Sequence, residues 1–106
     1  MIRAVYDRKQ LRLSVEGHAN AGAYGRDPVC AGVSVLVQTL AASVQRLAEY
    51  GMAEESLTVI KPGDSVVCCR PVPGFACIVR TVFDCICCGL ELVADAEPEH
   101  VSFTRV

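Results

Sequence analysis

Two residues in this sequence have the types and spacing for nucleophilic catalysis: a histidine at position 18 and a cysteine at position 30. Asp27 is a good helix cap and Pro28 suits a first helical position, so a helix begins here and Cys30 falls in its first turn. Amide groups in a first turn have no intrahelical partner and the helix end is positive. Both effects favour a thiolate, the nucleophilic form. His18 lies in the glycine-rich stretch Gly17–Asp27, a loop that can fold back over the helix start. A cysteine beside an imidazole is the minimal arrangement for covalent catalysis: the base takes the thiol proton and returns it to the leaving amine. The Cys30 amide could serve as an oxyanion donor. Ser34, one turn on and on the same side, could bond the sulfur or a substrate carbonyl.

Spacing alone leaves two assignments open. Asp27 either caps the helix, where its charge opposes a thiolate, or orients His18 as the third member of a triad. Cys30 is either the nucleophile or a small buried residue extending the apolar stripe that begins at Val33.

The elements that must position these residues follow from periodicity. Ile2, Ala4 and Tyr6 alternate with Arg3, Val5 and Asp7, and Leu11, Leu13 and Val15 alternate with Arg12, Ser14 and Glu16, which predicts strands over 2–6 and 11–16 with a polar turn at Arg8–Gln10. Val33, Leu36, Val37, Leu40, Val44 and Leu47 recur at helical spacing, so the first helix runs to about Tyr50, with Gly51 as its stop. Residues 57–61 and 65–71 read as a hairpin around Pro62-Gly63-Asp64. A second helix is expected from about Phe75 to Val93, with Ile78, Val79, Val82, Ile86 and Leu90 on its apolar face and Glu97-Pro98 at its end. His100–Thr104 reads as a closing strand. The order ββαββαβ predicts an α+β fold: a mostly antiparallel sheet with two long helices packed on it.

A chain of 106 residues is expected to form one domain spanning 1–106. Charged residues at 21% and hydrophobic ones at 52% exclude a disordered polar tail. Ten basic against twelve acidic side chains give a net charge of −2, which argues against a nucleic-acid partner held by a basic surface. No unbroken run of about eighteen apolar residues is present, so no membrane partner is expected. The N-terminus shows no basic segment followed by an apolar one, so the expected location is cytoplasmic.

The count of seven cysteines is odd, and without an export signal reduced thiols are expected. Cys85 and Cys88 form a Cys-x-x-Cys, which raises a zinc or redox reading. Against it, the pair lies inside an apolar helix, and Cys68 and Cys69 are adjacent on a strand and point to opposite faces. No metal site is therefore expected. Helical projection puts Cys77 and Cys88 on a polar face with Thr81, Asp84 and Asp95, and Cys85 at the edge of the core stripe. His100 reads as a strand-face residue with no chemistry near it.

Gly17-His18-Ala19, Gly25-Arg26-Asp27, Val29-Cys30-Ala31 and Ser34 together resemble the signature of the ribosomal-processing cysteine protease family, called Prp. The twelve-residue step from His18 to Cys30 fits that pattern; the chain departs from it at Pro28, where the family more usually has a branched aliphatic residue, and in the cysteine cluster at 68–88, which the pattern lacks. The resemblance implies that His18 is the base and Cys30 the nucleophile, with Gly17, Asp27 and Ser34 at supporting positions. It implies removal of a short N-terminal extension from the precursor of large-subunit ribosomal protein twenty-seven, beside a pair of aromatic residues. It further implies a homodimer, no cofactor, and a mobile loop over the site. Gly17, Gly22 and Gly25 fit such a loop as hinges, and Tyr24 within it is best placed to touch substrate. The competing reading is a non-enzymatic, ribosome-associated binding module in which Cys30 is inert.

Overall fold

The computed structural model describes residues 1–54 and 56–106. Its elements are β1 (Ile2–Asp7), β2 (Arg12–Glu16), α1 (Pro28–Glu49), β3 (Ala53–Lys61), β4 (Asp64–Pro71), α2 (Ala76–Ala96) and β5 (Val101–Arg105). The order is the expected ββαββαβ. The strands form one sheet in the order β3-β4-β2-β1-β5. All neighbours are antiparallel except β1 and β5, which pair in parallel with Ile2 opposite Val101.

Alternation along the strands puts one sheet face into the core and leaves the other open. Ile2, Ala4, Tyr6, Leu13, Val15, Val67, Cys69 and Val101 are buried on the first face. Helix α1 covers it with Val29, Val33, Val37, Leu40, Val44 and Leu47, the expected stripe at three- and four-residue steps. By length and composition alone α1 is apolar enough to cross a membrane. Its apolar stripe is instead the core-facing side of a helix packed on the sheet, and its other side carries Gln38, Thr39, Gln45 and Arg46 in exposed positions.

Most boundaries lie within a residue of the sequence reading, and three differences have structural content. Leu11 belongs to the β1–β2 turn, with φ of 50°, although its side chain is still buried. Strand β3 begins at Ala53 rather than at 57, because an irregularity between Glu54 and Leu57 breaks the alternation while pairing with β4 continues. Helix α2 runs three residues beyond Val93, to Ala96.

The face α2 turns inward is the expected one at Val79, Val82, Ile86 and Leu90, and it differs at one edge. Val79 and Leu90 are buried and Val82 and Ile86 pack partly buried against the core, but Phe83 and Cys87 are buried beside them, whereas Ile78 and Cys85 are exposed. Phe83 stacks on Tyr6 with ring centroids 6.1 Å apart and planes at 11°, a contact worth about 0.5–1.5 kcal/mol beyond the area it buries. Asp84, expected on the polar face, accepts the Tyr6 hydroxyl at 2.8 Å and pairs with Arg8 at 3.2 Å. Burial and the bond to Asp84 push the Tyr6 hydroxyl well above its usual range. The network ties α2 to β1.

This topology gathers one end of the sheet into a site. Glu16, the last residue of β2, is paired with Arg3 on one side and Asp64 on the other. The chain leaving β2 therefore emerges between the starts of β1 and β4, with the start of β5 alongside β1. The N-terminus of α1 lies at the same end.

Candidate active site

A cavity of about 580 Å³ opens at this end of the sheet. Gly17, His18, Gly22, Tyr24, Gly25, Asp27, Cys30 and Ser34 all line it. Every site residue singled out from the sequence thus comes to one place. Ile60–Ser65, the turn joining β3 to β4, forms the opposing wall. That turn was read from the sequence only as a hairpin.

Asp27 resolves as a cap, not as an orienter of His18. It is 7% exposed, and its Oδ1 accepts the N–H groups of Val29 at 2.9 Å and Cys30 at 3.1 Å. Its Oδ2 accepts the Ala21 N–H at 2.8 Å. One carboxylate therefore satisfies the first turn of α1 and ties the preceding loop to it. The Cys30 N–H, expected to serve an oxyanion, is engaged by this cap.

Burial alone would raise the Asp27 carboxyl, but the N–H donors of Cys30, Ala21, Val29 and Gly22 outweigh it and hold the group below its usual 3.8. A folded value below the unfolded one gives stability that is complete above the unfolded value and is lost as the pH falls through the folded value. Asp84 is held low in the same sense: desolvation opposes ionisation there, and the Arg8 and Tyr6 bonds prevail. Thermal melts should therefore show Tm falling as the pH drops from about 5 towards 3, and Asp27→Asn should flatten that slope. An unchanged slope in the variant would contradict the role given to the Asp27 charge.

The Cys30 side chain is half-buried at the cavity floor. Its sulfur accepts the backbone N–H of Ala19 at 3.3 Å. That donor was missed by the sequence reading, which offered Ser34 as a partner for the sulfur or for a substrate carbonyl. Ser34 is exposed on the cavity wall, and among the described residues it makes no bond to the sulfur.

His18 is exposed and occupies the mouth of the cavity. Its ring meets that of Tyr24 edge-on, with centroids 6.1 Å apart. Its Nε2 edge rests on the β3–β4 turn, where a methyl group on Gly63 would lie 2.7 Å from it. Among the described residues no hydrogen bond joins His18 to Cys30. Both line the same cavity from adjoining walls.

The residue before His18 is pinned rather than hinged. The Gly17 N–H donates to the Gly63 carbonyl at 2.9 Å. At φ of +94°, a Cβ on Gly17 would lie 2.2 Å from the Met1 carbonyl oxygen. Only glycine fits there.

His100 also belongs to this neighbourhood, contrary to its reading as a plain strand residue. It precedes β5, and its Nδ1 lies 2.9 Å from the Ala19 carbonyl oxygen.

The remaining thiols divide by burial. Desolvation pushes Cys69 up to about 11 and Cys87 up to about 12. Cys77, Cys85 and Cys88 are exposed on α2. Among the described residues no three His, Cys, Asp or Glu side chains gather as a metal site would need. Iodoacetamide on the native protein near neutral pH should modify Cys77, Cys85 and Cys88 and leave Cys69 and Cys87 untouched until the protein is denatured. Peptide mass mapping reads the pattern, and early labelling of Cys87 would contradict the packing of α2.

The fold is that of known structures. An essential ribosomal processing protease Prp from S. aureus, in complex with a covalently linked product peptide, superposes with a TM-score of 0.76 over 100% of both chains at 20% identity. The S. aureus protease in complex with a substrate peptide gives 0.71 over 100% of both chains at 19% identity. A Streptococcus mutans protein gives 0.69 at 24% identity, over 100% of this chain and 94% of that one. No curated protein matches the chain. The family model for the cysteine protease Prp matches residues 1–102, and the chain therefore belongs to the Prp family of cysteine proteases.

Proposed function

We propose that this protease removes the N-terminal extension of the precursor of large-subunit ribosomal protein twenty-seven, with Cys30 as nucleophile and His18 as general base. The observation that carries the reading is the half-buried Cys30 sulfur at the start of α1, facing a peptide-sized cavity that His18 also lines. His18 takes the thiol proton, and the sulfur attacks the scissile carbonyl. The tetrahedral intermediate collapses as the imidazolium gives its proton to the departing amine, leaving a thioester on Cys30. Water, deprotonated by His18, releases the acid and the free thiol.

The walls suit an extended peptide with bulky apolar side chains. Ile2, Val15, Val33, Val37 and Ile60 line the cavity, and an apolar lining with a few polar groups is the usual form of a binding cleft. Tyr24, 83% exposed at the mouth, is placed to lie over a bound aromatic residue. The reading places the enzyme in the cytoplasm, where ribosomes are assembled, and takes it to act as a homodimer.

The test is incubation with the host's own precursor under reducing conditions, with products read by intact mass. A single cut within the N-terminal extension, absent when the mature form is supplied, is expected. An uncut precursor at enzyme excess would overturn the substrate assignment.

A further inference from the structure

His100 lies 81 residues from Ala19 in sequence yet bonds to it in the fold. Its backbone is fixed at both ends: its N–H donates to the Glu97 carbonyl at 3.0 Å, and its carbonyl accepts the Ile2 N–H at 2.8 Å. The ring therefore projects from a rigid corner, where the parallel β1–β5 ladder begins, towards the loop after β2. A carbonyl oxygen can only accept, so the Nδ1 of His100 carries the proton and donates to the Ala19 oxygen.

Ala19 is held from both sides. Its carbonyl takes the His100 bond, and its N–H points at the Cys30 sulfur at 3.3 Å. Its side chain is 2% exposed within the core. The next residue, Asn20, turns the chain at φ of +57°, a left-handed conformation that asparagine tolerates. Without the His100 donor the Ala19 carbonyl loses its partner and the restraint on this turn weakens. The amide aimed at the sulfur then loses its direction, and His18, one residue earlier, loses its anchor.

We propose that His100 is a positioning residue of the catalytic centre: by donating to the Ala19 carbonyl it holds the Ala19 N–H on the Cys30 sulfur, where it stabilises the thiolate. The inference rests on the reading of Cys30 as nucleophile, and it deepens that reading by naming the group that aims the sulfur's donor. Hydrogen bonds to an ionised acceptor are stronger than neutral ones, so the bond favours the thiolate over the thiol.

The test is the pH dependence of Cys30 alkylation by iodoacetamide, with Cys77 in the same molecule as reference. It uses no substrate, so its result is independent of whether the ribosomal precursor is cut. His100→Phe fills the space without a donor, and His100→Asn places an amide N–H where Nδ1 stood. In the Phe variant the Cys30 rate near neutral pH should fall about tenfold and the midpoint of its profile should rise by about one pH unit. The Asn variant should restore most of both, and Cys77 should be unchanged throughout. Wild-type rate and midpoint in a folded Phe variant would overturn the proposal. Should the Phe variant not fold, the wild-type protein decides by NMR. Its long-range 1H–15N spectrum must show neutral His100 protonated at Nδ1, and an Nε2-protonated pattern would overturn the proposal.

Discussion

Cys30→Ala should leave no measurable cleavage, and His18→Ala should lower kcat by about 10²–10⁴-fold, the range expected when a positioned general base is removed. The two losses differ for a physical reason. Without the sulfur there is no acyl acceptor, whereas without the imidazole a thiolate fraction remains and water can carry the proton. Neither variant should disturb the fold. The Cys30 side chain is half-buried and its sulfur accepts the Ala19 amide, while the backbone N–H that Asp27 caps is kept in the variant, and His18 is exposed. Cleavage kinetics and a thermal melt on the same preparations read both statements. A Cys30→Ala protein that still cut at a comparable rate would remove the nucleophile from the account.

Gly63→Val should cost about 10²-fold in kcat/KM, the penalty for displacing a catalytic group by about an ångström. Gly63 adopts φ of +74°, and a Cβ there would lie 2.7 Å from His18 Nε2 and 3.1 Å from Cε1. The imidazole must move, because the turn cannot: Gly63 is tied to Gly17 through its carbonyl. Backbone strain alone predicts a different outcome, and Gly51 separates the two. It has the same φ of +74° with nothing within 4 Å of a built Cβ, so Gly51→Val carries the same left-handed strain, at least about 1–2 kcal/mol, without touching the site. Steady-state kinetics of the two variants should show loss only at position 63. Equal activities would mean that the turn does not hold His18.

Much of the site was legible because its residues are close in sequence. Asp27 and Pro28 mark a helix start by local chemistry, and that start fixes Cys30 in a first turn. Three glycines between 17 and 25 mark the loop that carries His18. What could not be read was everything brought in by strand order. The β3–β4 turn reaches His18 because β4 pairs with β2 and places Asp64 opposite Glu16. His100 reaches Ala19 because β5 pairs in parallel with β1. Neither pairing leaves a periodic trace in the residues themselves. The shifted edge of the α2 face, where Phe83 and Cys87 stand in place of Ile78, has a different cause. Apolar residues and cysteines occur nearly all around that helix, so periodicity admits several stripes. The ring of Phe83 selects one of them by stacking on Tyr6. Asp27 was ambiguous because a carboxylate one turn from a cysteine suits both a cap and a triad. Its three backbone donors decide for the cap.

In the proposed reaction a peptide bond is broken by transfer of its acyl group to Cys30. The most direct measurement is an acid quench of enzyme and precursor in the first turnover, followed by intact and peptide mass analysis. A transient adduct with the mass of the acyl fragment is expected on the peptide containing Cys30, labile to hydroxylamine and absent from Cys30→Ala. Cleavage that proceeds with no adduct at any time, and at full rate in Cys30→Ala, would contradict it.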